Sequence, residues 1–277
     1  MAIPGSGQVS LNDIATEFGG DAPHALSEYH GRHNAPASGE IQIAADFYGA
    51  DNSPPSPQTF TGAGTTNITI ADNVRAIGVQ LVGAGGGGAG AGGMFVFSSG
   101  GGGAGGNVIA YFNVSGGETF SAIRGSGGPG VGMFTGGPNA GKPGQAGSAS
   151  SAKVQSTTIA TGNGGGGGFT QQSGSSAGGS GGSTSVHGST YNVTANTGST
   201  GGAGQGAGGF VGGNGAASPV SGGGGGGNNA PGGAGSNGSG GGGAASNMGI
   251  KSGGNGGAGY VKVTFYTSAN PPADLSF

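Results

Sequence analysis

The apolar positions of this chain follow one period at the start and another later on. Leu11, Ile14, Ala15 and Phe18 recur at helical spacing behind Ser10. Ser10 and Asp13 make a capping-box pattern, and Gly19-Gly20 stops the run, so the spacing predicts a helix over 11–18. A second short helix is predicted over 23–29 with Gly31 as its stop, and one more turn over 44–48. The segment also echoes itself. Ser6-Gly7-Gln8-Val9-Ser10-Leu11 and Ser38-Gly39-Glu40-Ile41-Gln42-Ile43 share Ser-Gly, an amide or acid, and two aliphatic residues spaced by two.

From residue 59 onward the period becomes two, the signature of strands. Residues 74–82 place Ile77, Val79 and Leu81 on one face, and 107–114 is nearly continuous apolar and aromatic sequence. Residues 119–123 follow across Gly116-Gly117, which reads as a hairpin. The last clear strand, 260–266, puts Val261, Val263 and Phe265 on one face, and its late position predicts pairing with early strands. Elsewhere apolar residues are islands in glycine: Met94-Phe95-Val96-Phe97, Met133-Phe134, Phe169, Tyr191, Phe210-Val211 and Met248.

Composition changes the meaning of those islands. The chain has 277 residues with 78 Gly, and 6% of them are charged, against about 25% in an ordinary soluble domain. Collagen needs glycine at every third position, and the runs 164–168 and 222–227 break that register. Full disorder is the alternative for such glycine content, but strand-like segments interrupt it. The remaining reading is ordered glycine: extended chains of polyproline II geometry lying side by side, each satisfying its neighbours' N–H and C=O groups. The expected fold is mainly β, with a small N-terminal module of short helices followed by a glycine-rich β domain of stacked polyglycine II-like segments. The boundaries are a module over 1–50, a semi-rigid Pro-rich linker over 51–58, the β domain over 59–267 and a tail over 268–277.

Charge and candidate chemistry mostly exclude. A formal charge of -3 with seven Lys and Arg offers no basic stripe for nucleic acid. Zero Cys removes thiolate nucleophiles and Cys-based zinc sites. The opening residues lack the charged and apolar regions of a secretion signal, and no stretch approaches the ~18 apolar residues of a membrane span. From Thr119 to Ala273 there is no Asp or Glu, so that span offers no acid and base pair and no triad acid. Gly83 to Gly88 follows a strand in the manner of a dinucleotide fingerprint, but neither a helix N-terminus nor an acid about 20 positions on accompanies it. His24, His30 and His33 beside Glu28 could hold a metal, with surface or interface histidines as the simpler reading. The expectation is no enzyme, no cofactor and no metal.

Two stretches resemble known families. The order Val9-Ser10-Leu11-Asn12-Asp13-Ile14, Glu17-Phe18-Gly19-Gly20, Ala25-Leu26-Ser27-Glu28-Tyr29, Gly39-Glu40-Ile41-Gln42-Ile43 and Asp46-Phe47-Tyr48-Gly49 is similar to an N-terminal module of tailed-phage structural and tail-fibre proteins. The strand running into Val82-Gly83-Ala84-Gly85-Gly86-Gly87-Gly88, the central glycine and the closing Gly259-Tyr260-Val261-Lys262-Val263 resemble the glycine-rich domain of phage tail proteins and adhesins. The resemblance implies a virion protein of the tail tip or tail fibre, made in the host cytoplasm, that contributes to host-surface attachment. It implies other virion proteins as partners through residues 1–50, a host receptor, and a homo-oligomer such as a trimer, with no nucleic acid and no membrane insertion.

Within that reading, Leu11, Ile14, Phe18, Leu26, Tyr29, Phe47 and Tyr48 are the candidate virion-docking residues. Phe95, Phe97, Phe134, Phe169, Tyr191 and Phe210 are candidate receptor-contact residues on loops, with core or subunit interface as the alternative for each island. The alternative function is architectural, a part that braces, caps or decorates the particle without binding the host.

Overall fold

The computed structural model describes residues 3–20, 22–49, 51–92, 97–131, 142–172, 174–188, 190–205, 211–246 and 249–269. The module forms as its pattern predicts. Helix α1 spans Leu11–Phe18, with the Asp13 amide donating to the Ser10 hydroxyl at 3.2 Å and the Ser10 amide donating to the Asp13 carboxylate at 2.7 Å. A 3-10 turn covers Leu26–Tyr29 and α2 covers Ile43–Phe47. The echo is structural too, since Gly7 and Gly39 take φ of 103° and 102°, a region that side chains rarely adopt.

Among the described residues twelve strands follow: β1 (Gln58–Phe60), β2 (Gly64–Thr69), β3 (Ala76–Val82), β4 (Phe97–Ser99), β5 (Asn107–Asn113), β6 (Thr119–Arg124), β7 (Ser150–Val154), β8 (Thr157–Gly162), β9 (Thr170–Gln172), β10 (Thr184–Val186), β11 (Thr190–Asn196) and β12 (Tyr260–Tyr266). One five-stranded sheet has the order β1-β12-β3-β5-β11 and a second the order β10-β8-β7-β6-β2. Ile77, Val79, Leu81, Val108, Phe112, Val261, Val263 and Phe265 of the first pack with Phe120, Ala122, Ala152, Ile159 and Ala160 of the second in one buried cluster. The last strand pairs with β3 and β1, as its late position predicts. The expected hairpin across Gly116-Gly117 does not form. β5 pairs with β3 and β11 while β6 pairs with β2 and β7, so the turn carries the chain from one sheet to the other. Both strands bury apolar residues inward, which two packed sheets satisfy as well as one hairpin does.

Beyond the strand ends the chain continues as twelve extended glycine-rich segments. These are g1 (83–92), g2 (100–106), g3 (125–131), g4 (142–149), g5 (163–169), g6 (176–183), g7 (197–204), g8 (211–218), g9 (221–228), g10 (231–236), g11 (238–246) and g12 (251–259). Their hydrogen bonds run between segments with a period of three residues. In g1 the amides of Gly83, Gly86 and Ala89 donate to g2, those of Ala84, Gly87 and Gly90 to g4, and those of Gly85, Gly88 and Ala91 to g12. The carbonyls of g1 accept from g5, g3 and g11 in the same rotation. Three residues per turn is the polyproline II repeat, so each central chain directs its amides to three neighbours and its carbonyls to three more.

The same accounting closes the packing. Segment g2 bonds to g1, g5, g6, g7, g8 and g11, and g11 bonds to g1, g2, g8, g9, g10 and g12. The other nine bond successively in the order g3, g4, g5, g6, g7, g8, g9, g10, g12 and back to g3. The arrangement is a hexagonal lattice: three mutually bonded chains enclosed by a ring of nine. The ring is laid down in chain order, and only g11 drops into the centre between its last two members. Ring members g5, g8 and g12 each touch two central segments, and each central pair shares one of them.

Glycine is required here by proximity. A Cβ built on Gly102 would fall 2.1 Å from the Gly86 carbonyl oxygen, one on Gly86 would fall 2.0 Å from that of Gly166, and one on Gly241 would fall 2.0 Å from that of Gly254. Each such Cα instead aims a C–H bond at a neighbouring carbonyl, a weak but repeated attraction. In the ring many non-glycine residues face solvent, again at every third position: Ala177, Ser180 and Ser183 in g6, Thr197, Thr200 and Ala203 in g7, and Val211, Asn214 and Ala217 in g8 are all exposed. The central segments admit only small side chains, such as Ala84, Ala89, Ala104 and Ala244, all fully buried.

Two outcomes follow for stability. Gly102→Ala should destabilise the domain by about 2 kcal/mol or more, the cost of forcing atoms into a filled site. Gly225→Ala, where a Cβ meets nothing within 4 Å and φ is not positive, should be neutral or stabilising by about 0.4–1 kcal/mol. Paired thermal or urea melts check this. In the sandwich, burial and the adjacent Tyr266 push the Tyr111 hydroxyl up to about 12. The folded state therefore favours neutral Tyr111, a contribution present below the unfolded value near 10 and lost as pH rises through 12. Tyrosinate absorbance should show a hydroxyl titrating two units late in the folded chain and at the ordinary value in Tyr111→Phe-subtracted spectra of the unfolded chain.

Candidate functional site

The lattice gives the molecule two ends. Strands β3, β6, β8, β11 and the start of β12 meet it on one side, and its odd and even segments run alternately away from and back toward the sandwich. The far end therefore collects six connections: g1 to g2, g3 to g4, g5 to g6, g7 to g8, g9 to g10 and g11 to g12. Cross-bridges tie this end together. β4 pairs with β9, and bridges join Gly90 to Lys142, Ala91 to Lys251, Ser176 to Gly204, and Val211 to both Gln205 and Asn228.

Among the described residues the large hydrophobic side chains left exposed are Phe169 at 54%, Val211 at 41% and Ile250 at 40%. All three lie at the far end. Phe169 closes g5, Val211 opens g8 and Ile250 directly precedes g12, and these are the three ring segments that touch two central ones. The exposed apolar residues thus stand at three equivalent lattice positions around the tip.

The module sits at the opposite end. The Asn52 amide donates to the Glu17 carboxylate at 2.7 Å and the Asn73 side chain donates to the Ser53 carbonyl at 3.0 Å. Between module and sandwich lies a cavity of about 430 Å³ lined by residues that include Phe18, Arg32, Asp51, Asp72 and Arg75. Burial, together with the facing Arg75, holds the Arg32 guanidinium below its ordinary value. Asp51 and Asp72 share the cleft, so its two cations are matched by two carboxylates.

A family profile described as a glycine-rich domain matches residues 60–266. The chain belongs to the glycine-rich domain family. No curated protein matches it. The family boundary coincides with the observed sandwich and lattice, from the end of β1 to the end of β12.

Within this glycine-rich domain protein the sequence-derived candidates divide. Phe169 is on the tip and exposed. Phe97 begins β4 at the far end, with its side chain outside the described residues, and Phe95, Phe134 and Phe210 lie outside them altogether. Tyr191 is a correction. It falls on β11 in register with Tyr111 of β5, within the sandwich rather than in a far connection. A Thr- and Asn-rich strand with little alternation conceals that placement. Val211 and Ile250 are the tip residues that sequence reasoning missed as contacts. An isolated aliphatic residue directly before or after a glycine segment was the signal available.

Three of the module residues, Ile14, Tyr29 and Phe47, need a correction as well. Ile14, Tyr29 and Phe47 are fully buried in the module's own core, with Phe18 and Tyr29 rings packed edge-on to Phe47 at 5.8 and 6.3 Å. Leu11, Phe18 and Leu26 are half-buried against that core, and the Tyr48 hydroxyl donates to the Gly7 carbonyl. Ile14, Tyr29 and Phe47 fold the module, while Leu11, Phe18, Leu26 and Tyr48 keep part of their surface at its exterior. The histidines do not converge. His30 bonds the Pro36 carbonyl at 2.9 Å, while His24 lies 3.9 Å from Glu28. Gly83 to Gly88, the formal fingerprint, lie inside the lattice with no helix behind them. Among the described residues no helix is long and apolar enough to cross a membrane.

Truncating one buried module ring separates the two units. Phe47→Ala should cost about 3–5 kcal/mol of module stability, read as lost amide protection in α1, with the amides of g1 and g2 unchanged.

Proposed function

We propose that this glycine-rich domain protein is a structural component of a phage virion, from the tail tip or tail fibre, whose far lattice end contributes to host-surface attachment. The observation that carries the reading is the placement of Phe169, Val211 and Ile250 at the tip. The acidic, helical module occupies the other end, and its resemblance to tail-protein attachment modules supports anchoring there. A lattice of backbone hydrogen bonds suits such a role, because a contact residue held on a rigid frame loses little entropy on binding. Anchoring to virion partners through residues 1–50 and assembly as a homo-oligomer such as a trimer complete the proposal.

Binding of the labelled full chain to host cells tests it. Saturable binding weakened about tenfold or more by Phe169→Ser combined with Ile250→Ser, with unchanged melting, is the expected result. A folded chain that shows no binding to a host the particle infects would transfer the role to bracing or capping of the particle.

A further inference from the structure

Among the described residues the charges are sorted along the molecular axis. Residues 1–58 carry Asp13, Glu17, Asp21, Glu28, Glu40, Asp46 and Asp51 against Arg32 alone. Residues 59–277 carry Asp72, Glu118 and Asp274 against Arg75, Arg124, Lys142, Lys153, Lys251 and Lys262. Asp72 and Glu118 both lie at the module end, where a Cβ on Gly116 would meet the Asp72 backbone and the Glu118 carbonyl accepts from the Ile70 amide. The twelve glycine segments hold no carboxylate at all, and their charged residues are two, Lys142 and Lys251.

The backbones of both lysines meet the same point of the tip. The Gly90 amide donates to the Lys142 carbonyl at 3.2 Å and the Ala91 amide donates to the Lys251 carbonyl at 2.9 Å, so the two cations flank the far end of central segment g1. Ile250, next to Lys251, lies over Gly92, where its Cγ1 stands 3.4 Å from the position of a Cβ, and it remains 40% exposed. Among the described residues, the end of g1 is thus bordered by two cationic residues and one accessible apolar side chain.

We infer that this patch recognises an anionic envelope glycan, with Lys142 and Lys251 taking its phosphate or carboxylate groups and Ile250 meeting the C–H face of a sugar ring. The inference rests on the attachment reading and names the chemistry of its target. Charge complementarity selects an anion, and the polarity of the molecule would turn the tip rather than the acidic module toward a negatively charged surface. Two cations at a segment end are too few for the phosphate tracking of a nucleic acid.

The full chain is titrated against phosphorylated mannan, unphosphorylated mannan and polyglutamate, and against host cells, at low and raised salt. Phosphorylated mannan should bind, weakening severalfold between about 50 and 300 mM salt as screening shortens the reach of the lysines. Lys142→Gln with Lys251→Gln should lower that affinity about tenfold. Lys153→Gln with Lys262→Gln, which removes the same charge from the sandwich strands, should leave it within about twofold, and the melting temperatures of both variants should match the parent. Equal binding to unphosphorylated mannan, or no loss in Lys142→Gln with Lys251→Gln, overturns the inference. Tighter binding to polyglutamate also overturns it and points to an acidic protein segment. Failure to bind host cells at all contradicts the attachment reading itself. Host-cell binding indifferent to salt and to both lysines leaves attachment standing and removes the glycan chemistry.

Discussion

The approach of one glycine backbone to another, close enough that a Cβ would collide with a carbonyl oxygen, is the constraint on which this structure depends. At that separation a chain with three residues per turn can give its amides to three neighbours and its carbonyls to three others. Segments g1, g2 and g11 do so. A side chain at Gly86, Gly102 or Gly241 would push the chains apart and break bonds to several neighbours at once, whereas Ala84, Ala89, Ala104 and Ala244 occupy the few central positions with room for a methyl group.

Such a lattice cannot sustain itself. Each backbone hydrogen bond contributes about 1 kcal/mol net, while fixing a residue's backbone costs about 1–2 kcal/mol, and glycine sits at the costly end with no side chain to bury. The sandwich supplies what is missing. Its core of Ile77, Val79, Leu81, Phe112, Phe120, Val261, Val263 and Phe265 fixes strands whose ends feed directly into g1, g3, g5, g7 and, in reverse, from g2, g4, g6 and g12. Segments g8 to g11 have no strands of their own and are held by the lattice alone. The function proposed for the tip inherits this hierarchy: apolar burial sets the strands, the strands align the glycine chains, and the chains hold Phe169, Val211 and Ile250 in fixed relation.

Much of this was legible where side chains carry the signal. The capping box of Ser10 and Asp13, the alternation of Val261, Val263 and Phe265, and the apolar run of β5 each state a local preference that the fold obeys. Strands β7, β8, β10 and β11 are built largely from Ser, Thr, Ala and Asn, and the sheet partners that make them strands are remote in sequence. Glycine content pointed to stacked polyglycine chains but not to their order, because g11 and its neighbours are nearly interchangeable in composition. The outward residues at every third position, such as Val211, Asn214 and Ala217, were visible yet masked by runs like 222–227 that keep glycine outside as well as inside. At the site, Phe169 could be singled out as an isolated aromatic, whereas the pairing of Lys142 with Lys251 arises only when the lattice brings g4 and g12 to the end of g1.

The lattice is tested most directly by amide hydrogen exchange along g9. There the Gly224 and Gly227 amides bond to g11, while Gly222 and Gly225 donate to no group among the described residues. The account predicts protection with a period of three: Gly224 and Gly227 slow, Gly222 and Gly225 exchanging near the rate of an unfolded peptide, and Gly86, Gly102 and Gly241 at the centre opening only with the whole domain. Uniformly fast exchange through these segments, or protection alternating with a period of two, would contradict a hexagonal lattice.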